Sequence, residues 1–111
     1  MDKIVFITGA SSGIGAGCAR KFASQGASLI LNARNVNKLS ALKEELEKQY
    51  GAKIYLLPFD VRDRKAATSA LESLPKEWQS IDILVNNAGL VIGTDKEQEG
   101  SLDEWDIVID T

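Results

Sequence analysis

The 111-residue chain contains no histidine. That excludes a Ser-His-Asp hydrolase, a histidine-ligated zinc site and a histidine general base among these residues. There is a single cysteine, Cys18, so no internal disulfide can form, which suits a reducing cytosol and leads us to expect a cytoplasmic protein. No apolar run reaches the roughly 20 residues that a membrane helix needs, and the first residues lack a secretory signal pattern. Membrane partners are therefore not expected. The net charge of −3 argues against a nucleic-acid partner. Acidic residues are missing from one half in particular. Lys3 to Lys43 holds six basic residues and no Asp or Glu, whereas the remainder carries 7 basic against 16 acidic residues. The first half is locally positive, as an anion site requires.

What is present is an ordinary globular composition, 44% hydrophobic and 26% charged, of a size that fits one domain. The chain is organised around Lys3 to Gly15, Lys-Ile-Val-Phe-Ile-Thr-Gly-Ala-Ser-Ser-Gly-Ile-Gly. Ile4 to Ile7 is a short, mostly β-branched run that fits a strand buried on both faces. Glycines follow at 9, 13 and 15, and a helical pattern then begins. Gly9 permits the turn off the strand, Gly13 gives a ligand close access to the backbone, and Gly15 lets the helix lie on the strand. Free N–H groups at the helix start would then receive phosphate. The spacing is G-x-x-x-G-x-G rather than G-x-G-x-x-G, and a strand-to-helix turn without a ligand remains the alternative.

Further along, Ile14, Cys18 and Phe22 recur every fourth residue and predict a helix to about Gln25, ended by Gly26. Ser28 to Ala33 reads as a second strand. Leu39, Leu42, Leu46 and Tyr50 mark a second helix stopped by Gly51, and Lys53 to Phe59 a third strand. Asp63 opens a third helix with Ala67, Ala70, Leu71, Leu74 and Trp78 inward, its last turn disturbed by Pro75. Ile81 to Val85 is a fourth strand, and 89–100 a loop. Ser101-Leu-Asp-Glu104 is a capping box, predicting a final helix still running at Thr111. This alternation predicts an α/β fold, a three-layer doubly wound parallel sheet of Rossmann type with about four strands. A chain that stops inside an apolar helix reads as a partial molecule.

In such a sheet the ligand lies across the carboxyl ends of the strands. About twenty residues past the glycine loop, where an acid would grip the ribose 2′-hydroxyl of NAD, stand Asn32-Ala33-Arg34-Asn35. A guanidinium there suits a 2′-phosphate and favours NADP; a solvated surface arginine is the alternative. Asp60, followed by Val61, either accepts a hydrogen bond from an adenine amino group or starts the turn into the next helix. Asn86 and Asn87 can bridge backbone groups where the sheet parts, while Ala88 and Gly89 leave room for a cofactor. The missing Gly-Lys-Ser/Thr excludes a P-loop kinase, and Ala33-Arg34 disfavours a methyltransferase.

Together, Thr8-Gly-Ala-Ser-Ser-Gly-Ile-Gly15, Asp60-Val61 and Asn86-Asn-Ala-Gly89 closely resemble the short-chain dehydrogenase/reductase family over the whole chain. Leu74-Pro-Lys-Glu-Trp78 leading into Ile81 to Leu90 resembles its NADP-dependent 3-hydroxy acid (serine or allo-threonine) dehydrogenase branch. The resemblance implies that Gly9, Ala10, Ser11, Ser12, Gly13 and Ile14 bind pyrophosphate and adenosine ribose, and that Arg34 and Asn35 bind the 2′-phosphate. Asp60 and Val61 would border the adenine; Asn87, Ala88 and Gly89 would line the cofactor's path. It also implies a small-molecule substrate and a homo-oligomer when full-length. The family's active-site Ser, Tyr-x-x-x-Lys and supporting Asn are absent: neither Tyr50 nor Tyr55 has a lysine four residues on. The 111 residues alone should be inactive. The rival readings are a non-catalytic NADP(H)-binding module and an interaction module that pairs the exposed edge of the fourth strand with a partner.

Overall fold

The computed structural model describes residues 2–88 and the backbone of 106–108. Five parallel strands, β1 (Ile4–Thr8), β2 (Ser28–Leu31), β3 (Ile54–Leu56), β4 (Ile83–Asn86) and β5 (Asp106–Val108), form one sheet in the order β3-β2-β1-β4-β5. Between them run α1 (Gly13–Ser24), α2 (Val36–Tyr50) and α3 (Arg64–Glu72). β1 is central, with Phe6 beside Ile30 of β2 and Leu84 of β4.

Alternation along the strands divides the core into two layers. Val5, Ile7, Leu29, Leu31 and Val85 point to one face, where they meet Ala16, Ala19 and Ala23 of α1 and Leu39, Leu42 and Leu46 of α2. Phe6, Ile30 and Leu84 point to the other, with Ala67, Leu74, Trp78 and Ile81. Helices cover both faces, as expected of the doubly wound α/β class. Each fully buried Leu, Ile or Phe of β1, β2 and β4 contributes about 1.5–3 kcal/mol relative to an exposed one.

Four expectations are corrected. In α1 the buried residues are Gly15, Ala16, Ala19 and Ala23; Cys18 and Phe22 are half-buried and Ile14 is 53% exposed. The stripe is rotated because Gly15 must press on the loop backbone, and only alanines then fit between helix and sheet. α3 ends at Glu72 rather than reaching Trp78. Pro75 forces the preceding residue out of helical geometry, and Lys76–Trp78 forms a separate 3₁₀ turn. Trp78 still reaches the core there, 5.6 Å from the Tyr55 ring and 5.4 Å from the Lys53 ammonium.

At the end of the chain, Asp106–Val108 is a strand, not helix: Leu84 pairs with Ile107 and Val85 with Val108. β-branched residues favour strands, and the open ladder of β4 supplies the partner. The same pairing overturns the open β4 edge on which the interaction-module reading rested. The Ser101 capping box lies outside the described residues.

Each helix start is capped by its own sequence. Asn35 accepts from the Asn37 and Lys38 N–H groups, and Asp63 from that of Ala66. A 2.6 Å Arg20–Glu45 ion pair ties α1 to α2.

Candidate functional site

The loop from β1 to α1 turns at Gly9, whose φ of +61° is open to glycine at little cost. At Gly15 an added Cβ would lie 2.1 Å from the Gly9 carbonyl oxygen, so glycine is required for the helix to close on the loop. At Gly13 a Cβ would meet nothing within 4 Å. One glycine of the motif is thus reserved by the protein's own packing, and the other faces open space.

Asparagines and hydroxyls clamp this loop. Asn87 Nδ2 donates to the Gly9 carbonyl at 3.1 Å and to Ser12 Oγ at 2.8 Å. Ser12 Oγ donates to that carbonyl at 2.9 Å and caps α1 by accepting from the Gly15 N–H at 3.0 Å. Its hydroxyl is therefore fully spent within the protein. Thr8 Oγ1, fully buried, accepts from the Ala88 N–H at 3.0 Å. From the other side, buried Asn32 accepts from the Gly9 N–H at 3.4 Å and donates to the Leu57 and Phe59 carbonyls at 3.0 and 3.1 Å. One side chain fastens the loop to the ends of β2 and β3. The sequence signal for it was a lone amide closing an apolar strand.

At the start of α1 the first N–H groups have no intrahelical partners. Ser12 takes that of Gly15; those of Gly13 and Ile14 find no partner among the described residues, and the first turn holds no acid. Positive helix-end potential is left facing solvent.

Alongside lies a groove of about 310 Å³. It brings together Gly9, Ser11, Arg34, Asp60, Val61 and Ala88, all singled out in the sequence, and adds Asn32, Ala33, Phe59 and Arg62. Ala10 is fully buried beneath it, Gly13 and Ile14 stand exposed at the helix start, and Asn35 is the α2 cap. Gly89 lies outside the described residues.

Asp60 is both groove wall and turn former. Its carbonyl accepts from the Asp63 N–H at 2.9 Å. Its carboxylate accepts from the Arg62 N–H at 2.9 Å and from the Arg62 guanidinium, Nη2 at 2.8 Å and Nε at 3.1 Å. These bonds hold its pKa down to about 2 and raise that of Arg62. Arg34 Nη1 stands 3.8 Å from the same carboxylate, beyond hydrogen-bond reach, with its side chain 69% exposed. Two guanidinium groups thus share one carboxylate. The only acid in the groove wall is neutralised, and Arg34 keeps its donors unspent. Arg62 was not singled out in the sequence; an arginine two residues after a strand-end Asp was the signal.

A cation-rimmed groove beside an open glycine loop and a free helix start can hold an extended phosphorylated ligand. Among the described residues no group of His, Cys, Asp or Glu could hold a metal, and no helix is long and apolar enough to cross a membrane.

Known proteins share this arrangement. NADP-dependent 3-hydroxy acid dehydrogenase YdfG of Escherichia coli (strain K12) is 44% identical over 108 residues, which are 97% of this chain and 42% of that protein. The crystal structure of serine dehydrogenase from Escherichia coli superposes with a TM-score of 0.70 at 43% identity, covering 92% of this chain and 45% of that one. An alcohol dehydrogenase from the archaeon Thermococcus sibiricus, complexed with 5-hydroxy-NADP, gives 0.75 at 33% identity, covering 94% and 44%. The chain spans less than half the length of these relatives. The sequence model described as short chain dehydrogenase matches residues 3–111, from the first strand through the last, and the chain belongs to that family.

Proposed function

We propose that these residues form the cofactor-binding part of an NADP-dependent oxidoreductase that interconverts a secondary alcohol and a carbonyl on a small substrate, a 3-hydroxy acid being the best candidate. The observation that carries the reading is Arg34. It ends β2 beside the glycine loop, with all its donors unspent and the one nearby acid already taken by Arg62. The names of the relatives agree, both in the cofactor and in the hydroxy-acid substrate of the YdfG protein.

In this reading the pyrophosphate lies against the Gly13 backbone, where a Cβ-sized space is open, and meets the free N–H groups of Gly13 and Ile14. Ser11 and Gly9 wall the adenosine ribose. Arg34, with Asn35 beside it, takes the 2′-phosphate through charge-assisted bonds. Asp60 and Val61 border the adenine, and Asn87, Ala88 and Gly89 follow the cofactor toward its nicotinamide. When bound, the cofactor carries the hydride. The part played by these residues is to bind and orient its adenosine end. We place the full-length protein in the cytoplasm as a homo-oligomer; the single cysteine and the soluble character of the composition support the first.

The test is Arg34→Asp. Hydrogen bonds to charged groups contribute about 1.5–3 kcal/mol, so NADPH affinity should fall roughly 10- to 100-fold while NADH affinity holds. Equal loss of both cofactors would remove the 2′-phosphate role.

A further inference from the structure

We propose that Arg62 is a specificity-determining positioning residue: by holding Asp60 in a two-pronged ion pair, it keeps the Arg34 guanidinium free to take a 2′-phosphate. The proposal rests on the role given to Arg34 above and concerns a residue that need not touch the cofactor.

The three charges are unequally shared. A carboxylate offers about four acceptor sites. Arg62 takes three of them, with its own N–H on Oδ1 at 2.9 Å, Nε on Oδ1 at 3.1 Å and Nη2 on Oδ2 at 2.8 Å. Arg34 stops at 3.8 Å from Oδ2. The asymmetry has a local cause. Arg62 follows Asp60 by two residues in the turn that Asp63 N–H closes on the Asp60 carbonyl, so its backbone and side chain converge on the carboxylate with little chain to order. Arg34 comes from the end of a different strand and is 69% exposed.

Take Arg62 away and two things change. Asp60 becomes an uncompensated anion whose nearest cation is Arg34, and a small side-chain rotation turns the 3.8 Å approach into a bidentate bond. The phosphate reader is then occupied by a carboxylate. The same free negative charge also faces the place where a 2′-phosphate must sit, and like charges repel there. Both effects fall on NADPH. NADH has no 2′-phosphate, and any contact of Asp60 with adenine is common to the two cofactors.

The experiment is fluorescence titration of the purified protein with NADPH and with NADH, in wild type, Arg34→Ala, Arg62→Ala, Arg62→Lys and the double variant Arg62→Ala/Asp60→Asn. Arg62→Ala should raise the Kd for NADPH about tenfold and that for NADH less than about twofold. The double variant, having lost the competing anion, should return NADPH to within about threefold of wild type. Arg62→Lys keeps a charge without the planar fork and should fall between; it carries the test if the alanine variant does not fold. Parallel weakening of both cofactors, or no rescue in the double variant, overturns the proposal. A wild type that shows no preference for NADPH, with Arg34→Ala unchanged, overturns the Arg34 reading, and this inference falls with it.

Discussion

Gly13 and Gly15 stand two residues apart in one motif, yet the structure requires opposite behaviour of them. Alanine at Gly15 places a Cβ 2.1 Å from the Gly9 carbonyl oxygen and 2.9 Å from Ala10 Cα. Those atoms cannot step aside cheaply, because Asn87, Ser12 and Asn32 all hold Gly9 in place. Overpacking in a closed core costs about 1–3 kcal/mol, and a clash with fixed backbone belongs at the upper end. Better helix propensity returns up to about 1 kcal/mol, leaving a net loss of about 2 kcal/mol. For a domain of this size that is a Tm roughly 6–12 °C lower. Alanine at Gly13 meets nothing within 4 Å, and no positive φ stands in its way. It should leave Tm unchanged or raise it slightly, since a less flexible unfolded chain contributes about 0.4–1 kcal/mol.

Binding reverses the order. The Gly13 methyl projects into the space assigned to the pyrophosphate, so Gly13→Ala should weaken NADPH and NADH together by at least about tenfold. Thermal melts followed by circular dichroism, with fluorescence titration on the same samples, separate the two effects. The reasoning fails if Gly13→Ala melts as low as Gly15→Ala, or if it binds both cofactors like wild type. The first result would mean that the loop packs differently, the second that phosphate does not approach there.

Two further expectations concern the asparagine clamp and the groove acid. Asn32→Ala strands the Leu57 and Phe59 carbonyls and the Gly9 N–H in a buried setting, which should cost about 3 kcal/mol in urea unfolding; a loss below about 1 kcal/mol would show that the clamp is not what holds the loop. Asp60 has its pKa depressed, chiefly by Arg62, from 3.8 to about 2, so its charged form favours the folded state. That contribution is complete above about pH 4 and lost as pH falls through 2. The Tm gap between wild type and Asp60→Asn should therefore be constant from neutral pH to about 4 and close below it; a gap that persists at pH 2 would contradict the ion pair.

How much of this the sequence disclosed follows from how local each cause is. A strand buried on both faces is a short apolar β-branched run, so β1 to β4 were legible, as were the turn at Gly9 and the caps at Asn35 and Asp63. The face of α1 was not, because its choice is made elsewhere. Periodicity favours the largest apolar residues, Ile14, Cys18 and Phe22, yet the backbone of Gly9 decides which side can come near, and only Gly15 and the alanines can. Asn32 and Arg62 were missed for a related reason: each matters through partners 25 to 27 residues away or across the groove, and a single amide or arginine carries no spacing that reports them. β5 is the extreme case, since Ile107 and Val108 form a strand against β4 although a capping box upstream favours helix.

These non-local causes converge at one place, and that bears on how the site reads charge. Asn32, ending β2, fixes where the next residues leave the strand, and so where Arg34 emerges; the Leu57 and Phe59 carbonyls it binds lead directly to Asp60. The distance between Arg34 and the Asp60–Arg62 pair is thus set by a buried amide that touches neither charge. Moving the Asn32 side chain would shift the spacing of the three charges without altering their number. The arrangement that separates a 2′-phosphate from a 2′-hydroxyl is accordingly a property of the β2–β3 strand ends together, not of Arg34 alone.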